Sequence, residues 1–383
     1  MDKSNIFVTS HPRIGPVLAS EMSALGYKVE KIENMGVYAT GSFTDAIRMN
    51  LYLRSANRVL FRLIQFNADN PEDLYKNSKN FEWENVLSPQ GYFSVQSSVR
   101  NTTIKDNRFA NLRLKDAIVD RMKEKTGARP NSGPLYDASV IFLYWHDDDV
   151  IIYYDTSGET ISRRGYRKNP FKAPMNESLA AAILIRTGWD GTEPFVNPMC
   201  GSGTAAIEAA MISMNKPPGL QRENFSFMHH RQFNSRIYRM LRNQAIVNTY
   251  SKPKAKIIAS DINPLAIKAA KENAKAAGVA RHITFKVCDF SRTEIPGHKG
   301  VVFLNPEYGK RLGEEENLKI IYAAIGDFFK KSCSGYKGYV FSGNPDLAKS
   351  IGLKTSRRTE FYNGKIDCRL LEFDLYKGSL REA

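Results

Sequence analysis

From Pro194 to the carboxyl end, short apolar runs alternate with segments of helical character, and four of the runs stop at polar or glycine-rich turns. Pro194-Phe195-Val196 runs into Asn197-Pro198-Met199-Cys200-Gly201-Ser202-Gly203-Thr204, and an Ala-rich stretch, Ala205 to Met211, reads as the next helix. Lys256 to Ser260 ends at Asp261, Ile283 to Val287 ends at Cys288-Asp289, and Gly300 to Leu304 ends at Asn305. Helices are expected over Leu265–Ala277, with Pro264 in its first turn, and over Leu318–Lys331. Two further strands are expected at Lys337–Ser342 and Leu370–Tyr376. Such alternation requires a mainly parallel sheet covered on both faces. In an open parallel sheet, ligands bind beyond the carboxyl ends of the strands. The four turns should therefore gather on one rim.

Each turn carries residues suited to a nucleotide-like ligand. Gly201 and Gly203 permit a sharp backbone turn and close approach of a ligand, and the helix behind them offers free N–H groups. Asp261, followed by Ile262, can accept both hydroxyls of a ribose. It lies 64 residues beyond Asn197, further than the roughly 20 residues of a dinucleotide pattern, and an insertion at about 212–255 accounts for the gap. Asp289 can meet an adenine amino group, with Phe290 packing on the ring. In Asn305-Pro306-Glu307-Tyr308-Gly309, the Asn305 side-chain oxygen and the Pro306 carbonyl can grip the two N–H groups of an exocyclic base amine while Tyr308 stacks on the base. Taken singly, each stretch is equally an ordinary turn, cap or Asn-Pro corner. Their convergence on one rim gives them weight.

The first half is different. Ile6–Val8, Tyr27–Ala39 and Arg58–Ile64 read as strands around helices at Gly15–Leu25 and Phe43–Leu53, the second capped by Ser42. This is a small α+β unit of ferredoxin-like type over residues 1–66. Residues 67–157 form a second α/β module. It has a strand at Tyr92–Val99, a helix at Leu112–Thr126 ended by Gly127, and a hairpin of Ser139–Trp145 with Val150–Tyr154. Residues 158–193 read as a hinge and a lead-in helix.

Net charge is +15, and the excess is confined to the second half: residues 1–164 hold 21 Lys/Arg against 20 Asp/Glu, residues 165–383 hold 34 against 20. That favours a polyanionic partner, nucleic acid first. A second concentration lies in the first half, with nine basic and four acidic residues from Ser94 to Arg129. The insertion is the most basic stretch. Between 216 and 256 it holds nine Lys/Arg against Glu223 alone, with Phe225, Phe227, Phe233 and Tyr238 interleaved. Basic groups there can hold phosphates and the aromatics can stack unpaired bases. A covering helix with a basic outer face is the equal alternative. No run of about 18 apolar residues suggests a membrane span. No secretory signal is expected at Met1-Asp2-Lys3. The cysteines, Cys200, Cys288, Cys333 and Cys368, form no Cys-x-x-Cys pair, and His229-His230 has no metal-ligand partners at suitable spacing. A cytoplasmic protein with reduced thiols and no metal is expected.

The combination Thr156-Ser157-Gly158, Arg164-Gly165-Tyr166-Arg167, Ala173-Pro174-Met175-Asn176-Glu177, Asn197 to Thr204 and Asn305 to Gly309, in that order, resembles the THUMP-containing RNA methyltransferases. These are class I S-adenosylmethionine-dependent enzymes of the exocyclic-amine type. The resemblance spans nearly the whole chain. It implies a Rossmann-like, seven-stranded, mostly parallel methyltransferase domain over 194–383, preceded by the ferredoxin-like and THUMP α+β domains. It also implies S-adenosylmethionine as cofactor, structured RNA (ribosomal or transfer) as partner, and guanine N2 as methyl acceptor. Catalysis would fall to Asn305, Pro306 and Tyr308. Cofactor binding would fall to Asn176, Glu177, Asn197, Pro198, Cys200, Gly201, Ser202, Gly203, Thr204, Asp261, Ile262, Asp289 and Phe290. The chain departs from the family pattern twice. Asn197 stands where the family usually has Asp, keeping an acceptor but losing the charge attraction for an ammonium group. Glu307 stands where a second proline is usual. Two alternatives stay open: a DNA adenine-amine methyltransferase, which the same Asn-Pro-x-Tyr logic serves, and, motivated by the two departures, a non-catalytic RNA-binding or assembly protein with a decayed methyltransferase domain.

Overall fold

The computed structural model describes residues 3–102, 104, 106–169, 175–308 and 315–376. Ala173, Pro174 and Gly309 of the motifs above lie outside the described residues. One compact unit takes in the chain up to Ser10, Leu18–Arg163 and Arg222–Ala245; the other takes in His11–Val17, Arg164–Gln221 and Ile246 onward.

The first unit is built on one sheet. Its elements are β1 (Ser4–Ser10), α1 (Gly15–Ala24, from Leu18 onward), β2 (Val29–Glu33), β3 (Gly36–Gly41), α2 (Phe43–Tyr52), β4 (Ala56–Asn67), α3 (Pro71–Asn80), β5 (Tyr92–Arg100), α4 (Asn107–Thr126), β6 (Asn131–Ser132), β7 (Ser139–His146) and β8 (Asp149–Asp155). The strand order is β2-β3-β1-β4-β8-β7-β5-β6. The ferredoxin-like part and the module after it thus share a continuous sheet, joined where β4 pairs antiparallel with β8, Leu60 facing Asp155. Alternation sends Ile6, Val8, Val59, Ile141, Leu143, Trp145 and Ile152 into a single core. Ser42 caps α2 in a reciprocal box with Asp45. Helix α4 begins five residues before the expected Leu112, because Asp106 accepts from the Arg108 N–H and starts it with a polar turn. Gly127, at φ 72°, ends it as expected.

The second unit contains α5 (Glu177–Arg186), β9 (Phe195–Pro198) and α6 (Thr204–Ser213). Next come α7 (Ser235–Val247), most of which belongs to the first unit, then β10 (Ile257–Asp261), α8 (Pro264–Ala276) and β11 (Ile283–Val287). The chain continues with β12 (Val301–Leu304), α9 (Glu315–Ser332), β13 (Lys337–Ser342), α10 (Pro345–Lys349), β14 (Arg357–Asn363) and β15 (Ile366–Asp374). The seven strands lie in the order β11-β10-β9-β12-β13-β15-β14. Pairings from β11 to β13 are parallel, and β15 and β14 are antiparallel. From β9 the chain moves outward through β10 to β11, then returns to the other side of β9 at β12. The topological switch point is therefore the crevice beyond the ends of β9 and β12. Strand β14 escaped the sequence reading because it is an edge strand with Phe361 its one fully buried side chain, so it carries little hydrophobic signal.

The segment Arg222–Ala245, expected as part of an insertion in the methyltransferase domain, packs with the first unit. Phe225 and Phe227 are fully buried in that unit's core, stacked with ring centroids 4.9 Å apart. Periodicity marks a segment as core-forming; it does not say which core accepts it.

Candidate active site

Strand β9 delivers the glycine turn to the switch point. Met199, Gly201 and Gly203 all have positive φ, at 55°, 54° and 82°. The turn is closed by the Gly203 N–H donating to the Cys200 carbonyl and tied to β10 by the Cys200 N–H donating to the Ser260 carbonyl, each at 2.9 Å. The two glycines serve different needs. A side chain at Gly203 would meet the Ala270 Cβ of α8 at 2.9 Å, whereas one at Gly201 would point into open space. Gly203 lets two helices approach, and Gly201 leaves room above the turn.

Asp261 ends β10 and grips the turn directly. Its Oδ2 accepts from the Gly201 N–H at 3.0 Å and its Oδ1 from the Asn263 N–H at 2.9 Å. Ile262 beside it is 70% exposed. Asn263 caps α8, with Pro264 in the first turn. At the end of β11, Asp289 Oδ1 accepts from the Ser291 N–H and hydroxyl. Phe290 is turned inward, with its ring edge-on to Phe328 at 5.9 Å. The apolar group standing free beside Asp261 is Ile262.

Asn197 is buried to 1% exposure at the switch point. Its Nδ2 donates to the Phe303 carbonyl of β12 at 2.9 Å, and its Oδ1 is buried without a hydrogen-bond partner among the described residues. The Asn305 Oδ1, two residues past Phe303, is likewise buried without a partner among the described residues. Two orphaned acceptors therefore end adjacent strands, and buried acceptors are normally satisfied. Pro306 is buried and Glu307 exposed. The Tyr308 hydroxyl accepts from Asn363 Nδ2 of β14 at 2.8 Å, and a Cβ on Gly343 would collide with the Tyr308 ring at 2.9 Å. Burial raises its phenol well above the ordinary value, so it stays neutral. Tyr322 braces the same corner, sharing a hydrogen bond with Ser342 Oγ at 2.9 Å.

The hinge motif proves to be a brace. Arg167 pairs with Glu177 at 3.2 Å and reaches Thr204 Oγ1 at 3.3 Å, linking the starts of α5 and α6. The carboxylate of Glu177, one of the residues the resemblance assigns to the cofactor, is thus matched by Arg167. Asn176 is occupied as the cap of α5, accepting from the Ser178 N–H. Tyr166 donates to the buried Glu208 of α6 at 2.9 Å, and Arg164 lies 3.6 Å from the same carboxylate. Asn273 of α8 donates to the Ser202 carbonyl at 3.1 Å and accepts from the N–H groups of Lys168 and Asn169. Sequence reading missed Asn273, Glu208 and Asn363. Asn273 and Glu208 sit in segments whose local pattern says only helix. Cys200, on the turn, has its thiol pushed up by burial and is therefore protonated. Among the described residues no cluster of His, Cys, Asp and Glu is placed to hold a metal.

Three family patterns match this chain: the RlmL ferredoxin-like domain over residues 5–60, the THUMP domain over 68–154, and the RMKL-like methyltransferase domain over 164–372. The ribosomal RNA large subunit methyltransferase K/L of Syntrophotalea carbinolica is 36% identical over 379 residues, covering 96% of this chain and 53% of that protein. The chain thus spans about half the length of that relative. A Synechocystis sp. protein that carries the provisional name RNA methyltransferase is 34% identical and matches over 97% of this chain and 96% of its own length. Among solved structures, SMU.472, a methyltransferase-like protein complexed with SAH, superposes with a TM-score of 0.89 at 27% identity, covering 99% of this chain and 100% of its own. With its ferredoxin-like, THUMP and Rossmann-like methyltransferase parts all matched in order, the chain belongs to the RMKL-like methyltransferase family.

Proposed function

We propose that this protein transfers a methyl group from S-adenosylmethionine to an exocyclic base amine of structured RNA, guanine N2 in large-subunit ribosomal RNA or in transfer RNA. The observation that carries the reading is the pair of buried, unpartnered acceptors, Asn197 Oδ1 and Asn305 Oδ1, ending adjacent strands at the switch point. The residues present fit the cofactor. Open space over Gly201 accommodates its methionine end, Asn197 Oδ1 is a ready acceptor for its ammonium, and Asp261 stands where a ribose is gripped. Cys200, Ser202 and Thr204 shape the turn, and Pro198 leads into it. Ile262 is the free apolar wall for adenine, with Asp289 left to meet the adenine amino group.

The cofactor supplies an electrophilic methyl group on a sulfonium. The acceptor nitrogen is a poor nucleophile because its lone pair is delocalised into the ring. Asn305 Oδ1 and the Pro306 carbonyl accept its two N–H bonds and favour a more tetrahedral nitrogen. Held against the glycine turn by Asn197 and Asp261, the cofactor would supply the methyl group, with the S–C electron pair left on its sulfur. The positive charge arriving on nitrogen is stabilised by the same two acceptors, and the acidic aminium then releases a proton to water. Tyr308, held by Asn363 and backed by Gly343, forms a wall for the base. The base must leave its stack to reach Asn305.

Labelled methyl transfer to protein-free large-subunit ribosomal RNA, transfer RNA and DNA, with mass spectrometry of the nucleosides, tests the reading. N2-methylguanosine in RNA is expected, absent with Asn305→Ala while SAH binding persists. Full activity in Asn305→Ala, or label in DNA alone, overturns it. A non-catalytic reading keeps one support, the exposed Glu307 in place of proline. Failure of the parent protein to bind SAH would favour it.

A further inference from the structure

We infer that the outward face of α7, centred on Arg236, Arg239 and Asn243, holds the sugar–phosphate backbone of the RNA. This rests on the RNA-directed function proposed above and adds a binding surface remote in sequence from the motifs. At about 100° per residue, positions 236, 239, 240 and 243 share one helical face. Leu241 and Ala245 occupy the opposite, buried face. Tyr238 and Ile237 pack against the first unit's core, so the helix is oriented unambiguously.

The strap that carries α7 is firmly anchored within that unit. The Phe227 N–H donates to the Thr156 carbonyl at 3.0 Å, and the Arg231 N–H to the Val86 carbonyl at 2.9 Å. Ser226 Oγ accepts from the Val140 N–H at 2.9 Å, and the Ser226 carbonyl accepts from the Tyr154 hydroxyl at 2.7 Å. Its aromatics are the anchor. Phe225 and Phe227 are inside, and Phe233 and Tyr238 pack around Phe227. The expectation that these rings stack unpaired bases is therefore replaced by a division of labour: aromatics inward, arginines outward.

The arginines lack the neutralisation a solvated face normally carries. From Asn224 to Ser260 there are seven Lys/Arg and no Asp or Glu. Among the described residues, Arg236 and Arg239 have no carboxylate within ion-pair distance, and Arg239 Nε reaches back only to the Ser235 carbonyl at 3.3 Å. Like charges this close on a helix repel one another mildly. A bound polyanion offsets that cost, and arginine's planar fork suits phosphate oxygens. Met240, 60% exposed between the arginines, supplies an apolar patch for the sugars.

The test compares the parent with the double variant Arg236→Gln/Arg239→Gln and with a charge-matched control, Lys330→Gln/Lys331→Gln on the exposed end of α9. The probe is protein-free large-subunit ribosomal RNA, bound over a series of salt concentrations. SAH calorimetry on each protein confirms the fold. The α7 variant is expected to lose more than tenfold in RNA affinity at low salt. Its dependence of log K on log salt should be shallower by about 1.4–1.8, the counterions of two phosphate contacts. The control should match the parent. An α7 variant that binds with the parent's affinity and slope, or a control that falls equally, overturns the assignment. A parent that binds no RNA overturns the functional reading itself.

Discussion

Asn197 Nδ2 donates to the Phe303 carbonyl at 2.9 Å, joining the end of β9 to the end of β12. The two strands pair through Val301 with Phe195 and Val302 with Val196. Beyond those pairs the side chain continues the lacing. It thereby fixes the segment two residues before Asn305 to the segment four residues before Gly201. The orientation of the amide follows from chemistry: a flipped group would set oxygen against oxygen. The family's usual aspartate has no proton to donate here when ionised. Asn197 is thus a substitution with a structural use, which weakens the case for a decayed site.

Asn197→Asp should separate two effects. Losing the bond leaves the buried Phe303 carbonyl facing a carboxylate, which should lower stability of the ligand-free protein by about 1–3 kcal/mol. The added negative charge should tighten SAH binding through its ammonium. Thermal melts and calorimetry read the two independently. An unchanged melting temperature would remove the structural role of the Asn197 bond.

Gly201→Ala and Gly203→Ala should fail differently. At Gly203 a Cβ lies 2.9 Å from the Ala270 Cβ with φ at 82°, so both packing and backbone are strained. We expect a loss of about 2–4 kcal/mol. At Gly201 the Cβ meets nothing within 4 Å, and the backbone conformation alone costs about 1–2 kcal/mol. Gly201→Ala should therefore fold but bind SAH at least tenfold more weakly. Normal SAH affinity in a folded Gly201→Ala protein would move the ligand elsewhere.

Asp261 serves the turn before any ligand arrives, through the Gly201 N–H. Asp261→Ala should weaken SAH binding by roughly 2 kcal/mol or more, the scale of hydrogen bonds to a charged group. It should also speed amide exchange at Gly201. Retained protection at Gly201 would show that the turn holds without its carboxylate.

His230 provides a pH signature in the first unit. Burial lowers its pKa from 6.5 to about 4. Its ring lies 4.7 Å from the Phe43 ring and 4.9 Å from the Tyr154 ring. Above pH 6.5 it is neutral in both folded and unfolded chains and contributes no pH dependence. Below that value the unfolded chain takes up the proton first, so stability falls as pH drops from about 6.5 towards 4. The loss approaches about 3 kcal/mol. Denaturation midpoints measured across that range should flatten in His230→Phe relative to the parent. An identical slope in the variant would assign the acid sensitivity to other groups.

Much of the second unit was legible in the chain itself. Strand–helix alternation and polar strand ends were enough to expect a parallel sheet with Asn197, Asp261, Asp289 and Asn305 on one rim, because each signal is local and periodic. The hydrogen-bond partners of those residues were not legible. Phe303 lies 106 residues from Asn197, Asn363 lies 55 from Tyr308, and Asn273 lies 71 from the carbonyl it holds at Ser202. Arg167, read as part of a hinge, turned out to neutralise Glu177. Phe290, read as packing on adenine, has its ring in an edge contact with Phe328, a partner 38 residues away that no local pattern announces.

The arginine strap shows the same division. Its amphipathic pattern was written in the residues, and a basic outer face was one of two readings that composition allowed. That its aromatics enter the first unit's core was decided only by tertiary packing. Periodicity records that a face must be buried, since apolar surface is driven from water wherever it lies. Which core receives it, and which distant carbonyl a buried amide meets, depend on shape and register that exist only once the chain has folded.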